Sequence, residues 1–384
     1  MAGKRIIYIL MLLATLAALV LTNNGIALFL FMCVLVLPLI SMVMVFIARR
    51  HVRFELKVRE SCIRGGALQI TMCASVKPRF FVGGIRVTTE IENTTFHKTE
   101  YRRFMFNDLS FAPHVYNYNG TDSGRISIKC TSLQITGIFG MLALKVKCSA
   151  YAEAIVSPVL YEDVGVNVGE LGSRSIFGDR PLPRKGIDTT EIFNVRDYVP
   201  GDSLSAVHWK LSGKFDELKA KDFGATDDRR LLILVDLSRS KFDSTATDAQ
   251  LNAALDVAIS VSNALKSVGY AHSIGWFDDG LFMSAEVSDN NSFVAAVDKL
   301  MSVKVNEGNA ENLFYLSRTA ECSSFTKIVY ISSVIHYTEL QQSLGAEITA
   351  IEIGDEYGET IENGVRIINI PYNDIGAALT ACAI

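Results

Sequence analysis

IIYILMLLATLAALVLT, residues 6–22, and GIALFLFMCVLVLPLISMVMVFIA, residues 25–48, decide how this chain is built. Neither run carries an acidic or basic side chain. Each is long enough to cross a hydrocarbon core of about 30 Å as a helix. Asn23 and Asn24 leave room for no more than a tight reversal between them. Lys4 and Arg5 precede the first run, and Arg49, Arg50 and Arg53 follow the second. Positive flanks stay in the cytoplasm. The expectation is a transmembrane hairpin over residues 1–50, with two spans in the cell membrane and the soluble part cytoplasmic. A secretory signal would account for the first run alone. A helix of a soluble core keeps one polar side, and neither run has one. Pro38 is tolerable inside a membrane helix and marks an expected kink.

The 384 residues allow two or three domains. A formal net charge of -4, with no basic stripe, speaks against nucleic acid as a partner. The seven cysteines are scattered and form no Cys-x-x-Cys pair. That pattern is neither a zinc site nor a disulfide framework, and it fits a reducing compartment. No Gly-x-x-x-x-Gly-Lys-[Ser/Thr] phosphate loop is present, so no nucleotide is expected.

Residues 51–165 alternate apolar and polar at period two, as at Leu68, Ile70, Met72, Ala74 and Val76. Half-buried strands have that period. Glycine pairs and Asn119-Gly120 break the runs, so the expectation is an antiparallel β-sandwich-like domain. His97 and His114 stand alone there and read as surface or core residues.

Residues 166–228 form a connecting segment dense in paired charges and prolines. Pro200-Gly201-Asp202 is a turn by its own chemistry. His208, Asp202 and Asp197 could be an acid/base cluster. The favoured reading is a clasp of arginine–carboxylate pairs, with Trp209 buried as a wedge between domains, because no nucleophile or metal set accompanies the cluster.

The segment resembles the domain-of-unknown-function family 58. The match lies at Arg196, Asp197, Tyr198, Pro200, Gly201, Asp202, His208, Trp209, Lys210, Ser212, Leu218 and Lys221. Asp197 stands where that family usually has glutamate. The resemblance implies a membrane hairpin, a β domain and a C-terminal von Willebrand factor type A-like domain. It also implies work beside a MoxR-type AAA ATPase and a client protein.

Residues 229–384 read as α/β. LLILV at 231–235 suits a strand buried on both faces. A helix is expected over 248–268, with Leu251, Leu255, Ala258, Ile259 and Leu265 on its apolar face. Asp278-Asp279-Gly280 should turn the chain between strands 271–277 and 281–287. Helices are expected at 293–303, 312–322 and 373–383, and strands at 327–332, 347–353 and 365–370. Such alternation implies a doubly wound, mostly parallel, Rossmann-like sheet. At its carboxyl edge, Asp236, Ser238 and Ser240 offer hard oxygen donors from one loop, suited to weakly held Mg²⁺ or Mn²⁺. The spacing resembles the start of the metal-ion-dependent adhesion site of von Willebrand type A domains. That site also needs a threonine and a later aspartate. Here Ser332-Ser333-Val334 follows the later strand, and Glu307 or Glu311 would have to substitute. Alternatively Asp236 and its serines satisfy loop amides.

The expected function is a non-enzymatic, membrane-anchored interaction module. The competing expectation is a membrane-bound metal-assisted hydrolase, with Asp202 or His208 as base.

Overall fold

The computed structural model of the protein describes residues 2–22, 24–77, 82–165, 192–198, 207–215, 217–223, 231–241, 244–309, 312–319, 324–335, 346–362 and 364–382. Pro200, Gly201, Asp202 and Glu311 lie outside the described residues.

Two apolar helices open the chain, α1 (Ala2–Thr22) and α2 (Gly25–Ala48). Both are long and apolar enough to cross a membrane. Asn24 caps α2, its side chain accepting the Ile26 N–H. The helix continues through Pro38. Its last two turns turn one face inward, where Ser41, Val45 and Ala48 are buried. That face meets Gly137, where a Cβ would lie 2.8 Å from Ser41 Oγ. Any other residue there would hold helix and strand apart. Nearby, Arg5 Nε donates to the Gly140 carbonyl at 3.0 Å, and the Tyr8 ring stands edge-on to Phe139 at 5.6 Å.

A β-rich body follows. Its strands are β1 (Val52–Val58), β2 (Ser61–Ile63), β3 (Ala67–Val76), β4 (Val82–Asn93), β5 (Lys98–Phe106), β6 (Ser110–Asn119), β7 (Gly124–Gly137), β8 (Ala143–Val146) and β9 (Tyr151–Ser157). One sheet has the order β1-β3-β6, and the other β2-β9-β7-β4-β5 with β8 on β7. The described pairings are antiparallel except β2 with β9. Alternation puts Leu68, Ile70 and Met72 of β3 against Ile85, Val87 and Ile128 of the facing sheet, and Val45 and Ala48 of α2 join that core. The period-two reading therefore gave the right faces.

In the connecting segment, β10 (Ile192–Asp197) pairs antiparallel with β11 (Lys219–Phe223), and α3 (Trp209–Phe215) lies between them in sequence.

The C-terminal part contains β12 (Leu231–Asp236), β13 (Ser238–Lys241), β14 (Ser244–Thr245), α4 (Asp248–Ser267), β15 (His272–Asp278), β16 (Leu281–Val287), α5 (Asn290–Leu300), β17 (Asn306–Asn309), α6 (Asn312–Ser317), β18 (Lys327–Ser332), β19 (Glu347–Gly354), β20 (Gly358–Glu362), β21 (Val365–Pro371) and α7 (Ile375–Ala381). Its main sheet has the order β16-β15-β12-β18-β19-β21-β20. The five central strands are parallel, and β16 and β20 are antiparallel edges. β12 is buried throughout. Leu231, Ile233 and Val235 pack with the side bearing α4, and Leu232 and Leu234 with Leu313 and Leu316 of α6.

Local chemistry sets the boundaries. Thr247 and Gln250 form a capping box for α4. Asp279 and Gly280 both have positive φ, 46° and 79°, as a two-residue hairpin turn demands. Helix α5 starts earlier than expected because Asp289 and Ser292 cap it. Helix α6 stops at Ser317, not 322. There the Ser317 and Thr319 hydroxyls bond back to the carbonyls of Phe314 and Leu316, which competes with continued helix.

One member of the expected clasp is corrected. Trp209 is 65% exposed and is not a buried wedge. Helix α4 makes the junction between the β-rich body and the C-terminal part. Asp248, Asn252, Asp256 and Ser260 recur every four residues and so share one face. That face meets the β-rich body. Asn252 Oδ1 accepts the Ser123 N–H at 2.8 Å, and its amide nitrogen donates to Asp122 Oδ1 at 3.0 Å. Asp256 pairs with the Arg64 guanidinium, and its other oxygen accepts the Val159 N–H at 2.9 Å. Ser260 Oγ accepts the Tyr161 N–H at 3.0 Å. Lys98 Nζ bridges Asp122 at 2.6 Å and Asp248 at 2.7 Å. Burial works against the Lys98 charge, but the two carboxylates outweigh it and raise its pKa. At Asp256 burial wins over Arg64 and pushes the carboxyl up to about 6.

Candidate functional site

The central strands, counted along the chain, run 2-1-3-4-5, so the direction of winding reverses between β12 and β18. Ligands of open parallel sheets gather outside the carboxyl ends of the strands at such a reversal. Asp236 ends β12 and is paired in register with Ser332, which ends β18.

Asp236 is fully buried. Its Oδ1 accepts the Ser238 N–H at 3.0 Å and the Asn312 amide at 2.6 Å, and its Oδ2 accepts the Tyr330 hydroxyl at 2.7 Å. Ser238 Oγ accepts the same Asn312 amide at 3.1 Å. Three donors compensate the cost of burying a carboxylate. Two of these donors converge on Oδ1 and one on Oδ2. Among the described residues, no group of three or more His, Cys, Asp or Glu side chains is placed to hold one. Ser240 departs from the expected loop. It lies half-buried on β13, paired with Thr245 of β14 and Asn309 of β17.

Beside this edge opens a cleft of about 600 Å³. Ser238 and Asn312 form its floor on the Asp236 side. Asp278, Asp279 and Glu307 add carboxylates, and Lys304 and His97 add basic groups. Glu307 also pairs with Arg239 at 3.0 Å. His97 is exposed, in keeping with a surface residue, and the β4–β5 turn places it at the rim of the cleft. Thr95 Oγ1 donates to the Met301 carbonyl at 2.8 Å, the Thr95 carbonyl accepts the Val305 N–H at 2.8 Å, and Phe96 enters the α4-side core. The cleft therefore belongs to both halves of the molecule. Ser333, next to the reversal, buries a hydroxyl that no described group satisfies.

The motif residues lie elsewhere. Arg196 and Asp197 are on β10, paired with Ala220 and Lys219, and Lys221 on β11 pairs with Val195. The Tyr198 N–H donates to the Leu218 carbonyl at 2.9 Å. The His208 ring accepts the Leu211 N–H at 3.2 Å through Nδ1 and so caps α3. Lys210 is exposed on that helix. Ser212 Oγ donates to the His208 carbonyl at 3.1 Å and accepts the Lys219 N–H at 2.9 Å, tying the helix to β11. These bonds explain the spacing of His208, Ser212 and Lys219 as local architecture. Among the described residues, they bring no second titratable side chain to His208.

Residues 194–283, from β10 into β16, match a family described as "Protein of unknown function DUF58". No curated protein matches. Solved structures with slight likeness include two from microorganisms. One is a cohesin module from a Clostridium perfringens family 33 glycoside hydrolase, 11% identical, covering 28% of this chain and 95% of that one, with a TM-score of 0.21. The other is the CARDB domain of the PF1109 protein from Pyrococcus furiosus, 14% identical, covering 28% of this chain and 87% of that one, with a TM-score of 0.18. Likeness this slight carries no argument.

Proposed function

We propose that the chain is a membrane-anchored, cytoplasm-facing interaction module, acting with a MoxR-type AAA ATPase in the assembly or maturation of other proteins. On this reading α1 and α2 are the anchor. The C-terminal part is a doubly wound, von Willebrand factor type A-like platform that binds its partner without catalysis and without a metal at Asp236. The family match over residues 194–283 supports the assignment to family 58 from which the ATPase expectation comes.

One observation carries the reading: the cleft beside the carboxyl edge of the sheet is built jointly by the β-rich body and the sheet edge. It offers carboxylates and cations around Ser238 and Asn312. Such a mixed, open polar surface suits a protein segment. Buried Asp236 holds Ser238 and Asn312 in place and acts through them.

A photo-cross-linking residue at Asp279, in the full chain in its own membrane, tests this. A cross-link to an AAA ATPase is expected from Asp279. None is expected from Glu362, at the far edge of the sheet on β20. An equal yield from both positions, or no ATPase from either, contradicts the proposal.

A further inference from the structure

Helix α2 ends in cations that no described carboxylate neutralises. Arg49, Arg50 and His51 form a single 3-10 turn directly after it. With Lys147, just past β8, they line a cavity of about 930 Å³. Its other wall is apolar and comes from the helix itself: Val43, Phe46 and Ile47. No acidic residue lines it, and Arg49, Arg50 and Lys147 have no ion-pair partner among the described residues. Elsewhere on the β-rich body, cations such as Lys98, Arg102 and Arg125 are paired.

We propose that this cavity binds one anionic phospholipid. The acyl chain lies along Val43, Phe46 and Ile47, and the phosphate sits among Arg49, Arg50 and Lys147. The site rests on α1 and α2 spanning the bilayer, as proposed above. Basic pockets at the cytoplasmic end of membrane helices hold anionic headgroups in this way. The carboxyl end of a helix opposes an anion, but with only about half a charge. Three full positive charges outweigh it. A second feature puts the β-rich body against the same surface. Ile138, in the turn after β7, is 41% exposed, and its neighbour Phe139 packs on Tyr8 of α1. Val146 and Lys147, at the end of β8, line the cavity with α2, so a lipid there would be touched by helix and strand together.

The test is native mass spectrometry of the full chain in neutral detergent, with phosphatidylglycerol or phosphatidylcholine added. One phosphatidylglycerol per chain should be retained, at least about tenfold more tightly than phosphatidylcholine. The variant Arg49→Gln, Arg50→Gln, Lys147→Gln should weaken retention on the order of a hundredfold, from about fivefold per cation. Lys147→Gln alone, at an exposed strand end, should cost about fivefold and serves if the triple variant fails to fold. A control that removes as many charges from the connecting segment and the C-terminal part, Lys210→Gln, Lys299→Gln, Arg318→Gln, should bind like the unmodified chain. Equal retention of both lipids, an unaffected triple variant, or a control that loses as much each overturns the site. Failure of the unmodified chain to take up either lipid overturns the membrane anchoring as well.

Discussion

Helices α2 and α4 are of similar length and have opposite relations to composition. Apart from Ser41 and the weakly polar Cys33, α2 is apolar, yet Phe29, Leu30, Val43 and Phe46 are exposed. Helix α4 carries Asp248, Asn252, Asp256 and Ser260, yet it is buried on nearly every side. An apolar helix left uncovered asks for a bilayer, because lipid is the solvent in which it costs nothing. A polar stripe that is buried asks for a partner that answers each group, because an unanswered one is expensive. The difference lies in what surrounds the helix, and only the second case requires named, long-range partners.

The sharpest break in that comparison is Arg64→Ala. It leaves the Asp256 carboxylate buried with the Val159 amide but without its cation. The full chain in detergent should lose on the order of 3–5 kcal/mol of stability at neutral pH, the scale for halving a buried pair. The loss should shrink in mild acid, where Asp256 takes up a proton. A melting curve unchanged at pH 7 would mean that the stripe does not hold the two halves together.

Next is the pH dependence itself. The Asp256 carboxyl has an ordinary value of 3.8 and is raised to about 6 in the folded chain. The folded state therefore holds more protons between those values. The stability tied to this group is full below pH 4 and is lost as pH rises to about 6, a difference of about 3 kcal/mol. Asp256→Asn should abolish that slope in melting temperature against pH, and a slope equal to that of the unmodified chain would remove the effect from Asp256.

The α2 side gives a smaller effect. Gly137→Val puts a side chain where Ser41 Oγ already sits. Overpacking at this contact should cost about 1–3 kcal/mol and loosen α2 from the β-rich body, measured as faster protease cleavage after Arg50. Unchanged cleavage would separate anchor from body. Smallest is Trp209→Ala. An exposed side chain should change stability by no more than about 0.5 kcal/mol, whereas a buried wedge would cost on the order of 3–5 kcal/mol.

Much of the fold was legible wherever the signal is local. The period of two gave the faces of β3, and Asp279-Gly280 gave a hairpin turn. The apolar stretch at Leu231–Asp236 gave a strand buried on both sides. What stayed hidden depends on distant pairs. Asp236 was singled out correctly as the end of a central strand. Its Asn312 and Tyr330 donors lie 76 and 94 residues away, and no local signal announces them. Nothing near His97 signals that Phe96 inserts into another core and carries it to the cleft. The stripe on α4 was visible as spacing, but polar residues every four positions ordinarily face water. The charge-rich segment around Trp209 is the more obvious place for a junction in the sequence.

The anchor's geography underlies the functional account, and one measurement reaches it directly. Ser288→Cys, exposed before α5, is introduced into the full chain with its seven natural cysteines replaced. The cells are then treated with a membrane-impermeant thiol reagent. The account predicts labelling only after the cells are opened. Labelling of intact cells would put the cleft and both halves of the molecule outside the cytoplasm and contradict it.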